Sequence, residues 1–192
     1  MTMRILFPHH WQTQKWLNGG GITHELIKDD VADWRYRLSI AEVAQDGPFS
    51  RFDGIDRIIM LLSGKGFELY FGGGHLQSMV TALQPFPFRG DDPVNCELID
   101  GPVRDFNVMT RRGVSSAHVE MIALTRQRQS VVVGGLIHFV FGVQGQVFAE
   151  LNEHGYLLDA EQMLIIEGET APLQLSGLSD GAMAYSIAIS TR

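Results

Sequence analysis

The run Tyr36-Arg37-Leu38-Ser39-Ile40-Ala41-Glu42-Val43 alternates in character from one residue to the next. In an extended chain Tyr36, Leu38 and Ile40 share one face, and Arg37, Ser39 and Ala41 share the other. Met183 to Ile189 repeats the pattern, with large side chains on one side and small ones on the other. Ser115 to Leu124 and Met163 to Glu167 are also strand-like, and Ile58-Ile59-Met60-Leu61-Leu62 is an unbroken apolar run suited to a strand buried on both faces. Glycines separate these segments at Gly19-Gly20-Gly21, Gly64 and Gly66, and Gly72-Gly73-Gly74. No stretch of helical length carries an amphipathic stripe; Trp11 to Trp16 and Asp105 to Arg111 read as short helical turns. Many short strands with glycine-rich turns predict an all-β sandwich or barrel.

The composition bounds the function. The chain has 192 residues, 45% hydrophobic and 19% charged, as in a globular protein, and its net charge of −7 disfavours nucleic-acid binding through global charge. Cys96 is the only cysteine, which excludes an intramolecular disulfide and a zinc site of several thiolates, and fits a reducing cytoplasm. The first residues hold no apolar run of signal-peptide length, and Val131 to Val143 is too short to span a bilayer, so a soluble protein with no membrane partner is expected. A change of texture near Arg111-Arg112-Gly113 places the expected boundary between two halves, 1–112 and 113–192, with strand sharing between them allowed.

Several polar groups need explaining. Asn18-Gly19-Gly20-Gly21 resembles a phosphate loop, but no Gly-Lys-Ser/Thr follows and the segment after it is strand-like, so a tight turn is expected. That following strand puts Thr23 and Glu25 on one face. Arg37 and Arg57 sit inside strand-like segments, where a guanidinium offers a planar, permanently charged fork for carboxylates. Arg37, with Ser39, faces either solvent or a barrel lumen. Phe49, Ser50 and Phe52 lie in a turn-rich loop ahead of the Ile58–Leu62 run; the phenylalanines either wall a pocket or plug the barrel end. Asp105 and Asn107 either cap a turn or position Arg111 or Arg104 for an anion. His118, Glu120 and His138 are a conceivable metal set, against which a core role for His138 is preferred.

Four blocks then taken together resemble the HutD/Ves family: Trp16 to Glu25, Trp34 to Val43, Asp46 to Phe52, and Asp105 to Arg112. The resemblance is dense from Leu6 to Arg112 and thin afterwards. It implies a bicupin, in which two double-stranded β-helix (cupin) barrels share one chain. Cupins often hold a metal through Gly-x5-His-x-His-x3–4-Glu-x6-Gly. Between Gly47 and Gly66 that frame falls on Asp53, Ile55 and Ile59, two of which cannot ligate, so a metal-free first barrel without cofactor is expected.

The resemblance further implies a role in moderating histidine utilisation, with a small acid such as urocanate or N-formylglutamate as ligand. Arg57 and Arg37 would supply charge to it. Ser39, Ser50, Thr23 and Asn18 would supply neutral hydrogen bonds, Phe49 and Phe52 an apolar wall, and Glu25 a partner for an arginine in the empty site. Asp105, Asn107 and Arg111 are secondary candidates, and no catalytic or metal-binding residue is assigned. The alternatives are a metal-free cupin isomerase, epimerase or hydrolase with Glu25 or a histidine as base, and a regulator acting purely through protein contacts. Open sheet faces also allow a homodimer.

Overall fold

The computed structural model describes residues 2–191. Strand β1 (Thr2–Leu6) is followed by one 3-10 turn, Pro8–His10. Then come β2 (Gln12–Lys15), β3 (Gly21–Lys28), β4 (Tyr36–Val43), β5 (Gly47–Pro48), β6 (Ile55–Ser63), β7 (Phe67–Phe71), β8 (Leu76–Met79), β9 (Phe86–Arg89), β10 (Val94–Leu98) and β11 (Val103–Arg111). The remainder is β12 (Ser115–Ala123), β13 (Gln129–Val131), β14 (Ile137–Gln144), β15 (Val147–Leu151), β16 (His154–Leu158), β17 (Met163–Glu167), β18 (Leu173–Gly177) and β19 (Met183–Thr191). The described residues contain no α-helix, and no helix long and apolar enough to cross a membrane.

Two expected helical turns are strands instead. Trp11 to Trp16 contains β2, which pairs with β3 from Gln12↔Glu25 to Lys15↔Ile22. Asp105 to Arg111 belongs to β11, hydrogen-bonded on both sides, to β4 and to β6. Pairing on both sides overrides the weak local pattern of β11.

The chain forms two units. One spans Trp11–Ser115; the other joins the residues up to His10 with Ser116 onward. The division therefore falls three residues beyond the texture change at Arg112-Gly113, and the first strand belongs with the later residues. The link is antiparallel pairing of β1 with β17, from Thr2↔Glu167 to Leu6↔Met163.

The Trp11–Ser115 unit pairs a six-stranded sheet, β2-β3-β4-β11-β6-β9, with a four-stranded one, β5-β10-β7-β8. Ala41, Val43, Ile59 and Leu61 from the first pack against Phe67, Leu69, Met79, Val94 and Cys96 from the second. This apolar core fills only part of the space between the sheets. On the same face, closer to the other end of the strands, the side chains turn polar.

The other unit pairs β1-β17-β14-β19-β12 with β13-β18-β15-β16. Its core, which includes Val140, Val147, Leu151, Leu164, Ile166, Leu173 and Leu175, is apolar. Two antiparallel barrels of this kind make the chain an all-β bicupin.

Candidate functional site

Strand period and register build the site. Glu25 lies opposite Ser39, Ser39 opposite Asn107, and Asn107 opposite Ile59. In the adjacent row Arg37 lies opposite Met109, Met109 opposite Arg57, and Arg57 opposite Phe88. All face inward, because side chains two apart on a strand share a face. A β-bulge between Glu25 and Ile27 resets the register so that Lys28 pairs with Arg37 and reaches the same side. Over this face opens a cavity of about 640 Å³ lined by Asn18, Thr23, Glu25, Arg37, Ser39, Phe49, Ser50, Phe52, Arg57, Asp105 and Asn107. Eleven of the twelve residues singled out in the sequence thus share one cavity.

Arg57 is a confined cation, with 6% of its surface exposed. Its Nε and Nη2 donate to Asn107 Oδ1 at 3.2 and 2.6 Å. Its guanidinium carbon lies 4.7, 5.5 and 5.7 Å from the ring centres of Phe88, Phe49 and Phe52. Three aromatic faces attract a cation without neutralising it. No carboxylate among the described residues forms an ion pair with Arg57. Burial pulls it down to about 10, opposed by the nearby charge of Asp105 and reinforced by that of Arg37, so it stays cationic at neutral pH.

Asn107 joins Arg57 to Asp105. Its Nδ2 donates to Asp105 Oδ1 in a short hydrogen bond. Asp105 is fully buried, and its Oδ2 has no hydrogen-bond partner among the described residues. Burial pushes this carboxyl up to about 7, while Arg57 and Asn107 pull it down.

The arginine that Glu25 serves is Arg37, whose Nε donates to its Oε2 at 2.6 Å. The Asn18-Gly19-Gly20-Gly21 segment forms the β2–β3 turn, with Gly20 N donating to Asn18 Oδ1 at 3.0 Å and Trp16 N to Gly21 O at 2.9 Å. Gly21 is needed for close approach, since a Cβ there would lie 2.5 Å from the Glu42 carbonyl. Thr23 accepts from Trp16 Nε1 at 2.8 Å, which fixes the indole at the cavity wall.

The loop carrying Phe49, Ser50 and Phe52 is tied from behind. Phe49 N donates to Val94 O at 2.9 Å and Phe52 N to Gly90 O at 2.8 Å. Gly54 N donates to Asp91 Oδ1 at 2.8 Å, and Arg112 reaches Asp91 at 2.6 Å and Asp56 at 2.7 Å.

Arg111 lies outside the cavity. Its Nε donates to the Trp34 carbonyl at 3.1 Å and its guanidinium sits 5.6 Å from that indole, so it backs a wall residue instead of meeting a ligand. Trp34, Trp16, Lys28, Met109 and Phe88 complete the surroundings of Arg57 and Arg37 and were not foreseen. Phe88 lies in Pro85-Phe86-Pro87-Phe88, where two prolines mask a short edge strand; the edge position tolerates Pro87.

The conceivable metal set does not assemble: His118 and Glu120 are exposed, whereas His138 is buried against Ser186 at 3.0 Å. No group of three His, Cys, Asp or Glu among the described residues is placed to hold a metal ion.

Comparison with known proteins matches residues 9–184 to the family model described as HutD. The chain belongs to the HutD family. This HutD-family chain is 37% identical over 133 residues to Protein Ves of Cronobacter sakazakii, covering 66% of the chain and 70% of that protein. It is 34% identical over 110 residues to an uncharacterised 21.2 kDa protein in the hutC 3′ region of Pseudomonas putida, covering 56% of the chain and 57% of that protein. Among solved structures, HutD from Pseudomonas fluorescens SBW25, in a formate condition, superposes with a TM-score of 0.86 at 28% identity, covering 100% of both chains. A conserved protein of unknown function from Pseudomonas aeruginosa PAO1 gives 0.90 at 29%, also over 100% of both. Oxalate decarboxylase of Lactobacillus farciminis, at 0.69 and 7% identity over 96% of this chain and 85% of that one, shares the fold alone.

Proposed function

We propose that this chain is a metal-independent receptor for small carboxylates that moderates histidine utilisation, with urocanate or N-formylglutamate as its ligand. The observation that carries the reading is Arg57: a buried cation, caged by three phenylalanines and held by a neutral amide, with no carboxylate paired to it. Asp105 acts on Arg57 only across Asn107 and is itself pushed toward neutrality by burial, so burying the cation stays costly. An entering carboxylate offsets that cost through two parallel N–H···O bonds. The cavity volume falls within the ~300–1,000 Å³ typical of small-molecule sites, and aromatic walls suit a flat or extended acid.

Of the cavity's carboxyls Glu25 is occupied by Arg37 and Asp105 is held by Asn107, and no imidazole lines the cavity among the described residues. A receptor is therefore taken ahead of an enzyme on Arg57 and family membership. Family membership and the hutC-region relative support the link to histidine utilisation. A single cysteine, buried at Cys96 with its thiol pushed up to about 12 by burial, fits residence in a reducing cytoplasm.

Titration calorimetry with urocanate, N-formylglutamate and histidine at neutral pH tests the reading. Saturable heat with an acid and none with Arg57→Met is expected. Absence of heat with every ligand at millimolar concentration overturns it.

A further inference from the structure

The cavity holds its interior charges in two couples of different kinds. Glu25 and Arg37 touch at 2.6 Å and cancel. Arg57 and Asp105 are separated by Asn107, which accepts from the first and donates to the second. Asp105 Oδ1 takes that bond, and Oδ2 is left buried without a partner among the described residues.

The surroundings of Asp105 contain few other charges. β3 contributes Glu25 and β4 contributes Arg37, already paired; β6 contributes Arg57; β11 itself contributes neutral Asn107. From the opposite sheet β10 contributes Cys96, a neutral thiol whose own titration feels Asp105. Lys15 and Lys28 stand at the cavity edge, exposed and screened by water. With Asp105 ionised, two guanidinium groups and two carboxylates sum to zero. A carboxylate docked on Arg57 then adds an uncompensated negative charge to a site where Asp105 already faces the same cation.

We propose that a ligand carboxylate binds at Arg57 together with one proton drawn from solvent, which Asp105 takes up on Oδ2. The inference rests on the carboxylate-receptor reading above. Protonation at Oδ2 leaves Oδ1 free to keep accepting from Asn107, so no hydrogen bond in the Arg57–Asn107–Asp105 relay is broken in either state. The interior then sums to zero again with the ligand present. Burial already holds the Asp105 carboxyl near neutral pH in the empty cavity, and a ligand anion beside it raises it further. Asp105 thereby makes affinity for acids depend on pH, falling by up to about tenfold per pH unit above ~7 until the bound state also releases its proton.

The test uses formate and N-formylglutamate, whose carboxylates stay ionised throughout, with binding read from fluorescence of Trp16 and Trp34 in the cavity wall. Proton uptake is read by an indicator dye in weakly buffered solution. Expected are close to one proton taken up per ligand at pH 8.5, far less at pH 6, and weaker affinity at the higher pH. Asp105→Asn keeps the acceptor for Asn107 and is expected to bind equally well at both pH values. Should that variant fail to fold, the proton count on the natural chain decides alone. Saturable binding with equal affinity at pH 6 and 8.5 and no proton uptake overturns this inference and leaves the receptor reading standing. No saturable binding at either pH overturns both.

Discussion

Arg57 rests on Asn107, with Nη2 donating to Oδ1 at 2.6 Å across the β6–β11 ladder. The amide orients the guanidinium and leaves its charge whole. Arg37, in the same row as Arg57, is instead neutralised by Glu25 at 2.6 Å. Two arginines facing one cavity therefore have different duties: Arg37 braces the wall and Arg57 remains available to an anion.

Arg57→Met is expected to weaken acid binding at least 100-fold, since charge-assisted hydrogen bonds contribute about 1.5–3 kcal/mol each. Stability should change little. Relieving the buried cation of its desolvation is favourable, while stranding Asn107 Oδ1 costs about 1–3 kcal/mol and Asp105 shifts further toward its neutral form. Calorimetric titration and thermal melting check both halves; an intact affinity removes Arg57 from the site.

Asn107→Leu preserves size but strands both Arg57 and Asp105. A loss of about 3–5 kcal/mol is expected in chemical denaturation, larger than for Arg57→Met. Because both residues act through one hydrogen-bonded relay, the double variant should recover part of that loss. Simple additivity would mean the relay is energetically silent.

Arg112 touches no part of the cavity, yet it holds Asp91 and Asp56 behind the loop bearing Phe49 and Phe52. Arg112→Ala is expected to weaken ligand affinity roughly three- to tenfold while leaving the Arg57 cation in place, less than the loss of a charged hydrogen bond to the ligand itself would cost. The Arg112 hydrogen bond first, and the Gly54 N–H second, hold Asp91 down to about 2. A depressed acid stabilises fully above its unfolded value near 4 and loses that contribution as pH falls to about 2. Protection of the Gly54 and Phe52 amides, measured relative to intrinsic exchange at each pH, should fall across that window, and unchanged protection counts against the clamp.

His138 adds an acid sensitivity of the same sign at higher pH. Burial pulls its imidazole down to about 4. Between pH 6.5 and 4 the unfolded chain binds a proton that the folded chain refuses, so stability falls with pH by at most about 3 kcal/mol and then levels off. His138→Asn should flatten denaturation midpoints over this interval, and retention of the full slope would assign it to another group.

Gly21→Ala places a methyl 2.5 Å from the Glu42 carbonyl and 3.1 Å from the Trp16 ring. A loss of about 1–3 kcal/mol is expected from this overpacking. Because Trp16 is tied to Thr23, its fluorescence should shift in the empty protein as well; a native spectrum with native stability contradicts the close approach.

Much of this site could be read from alternation alone. Arg37 and Ser39 on one face of β4, and Thr23 and Glu25 on one face of β3, follow directly from period two. Which acid meets which arginine could not be read, because it depends on cross-strand register: Glu25 lies opposite Ser39, one step from Arg37, while Arg57 sits three strands away in β6. Asp105 and Asn107 look like turn-capping residues locally, and only pairing on both sides makes β11 a central strand. The β1–β17 ladder joins positions near opposite ends of the chain, a relationship with no local trace.

That ladder also orders events during synthesis. Thr2–Leu6 leave the ribosome long before their hydrogen-bonding mates at Met163–Glu167. Residues 11–115 can collapse around their own contacts meanwhile, so the unit that carries the cavity matures while the β1 segment waits for β17 to emerge.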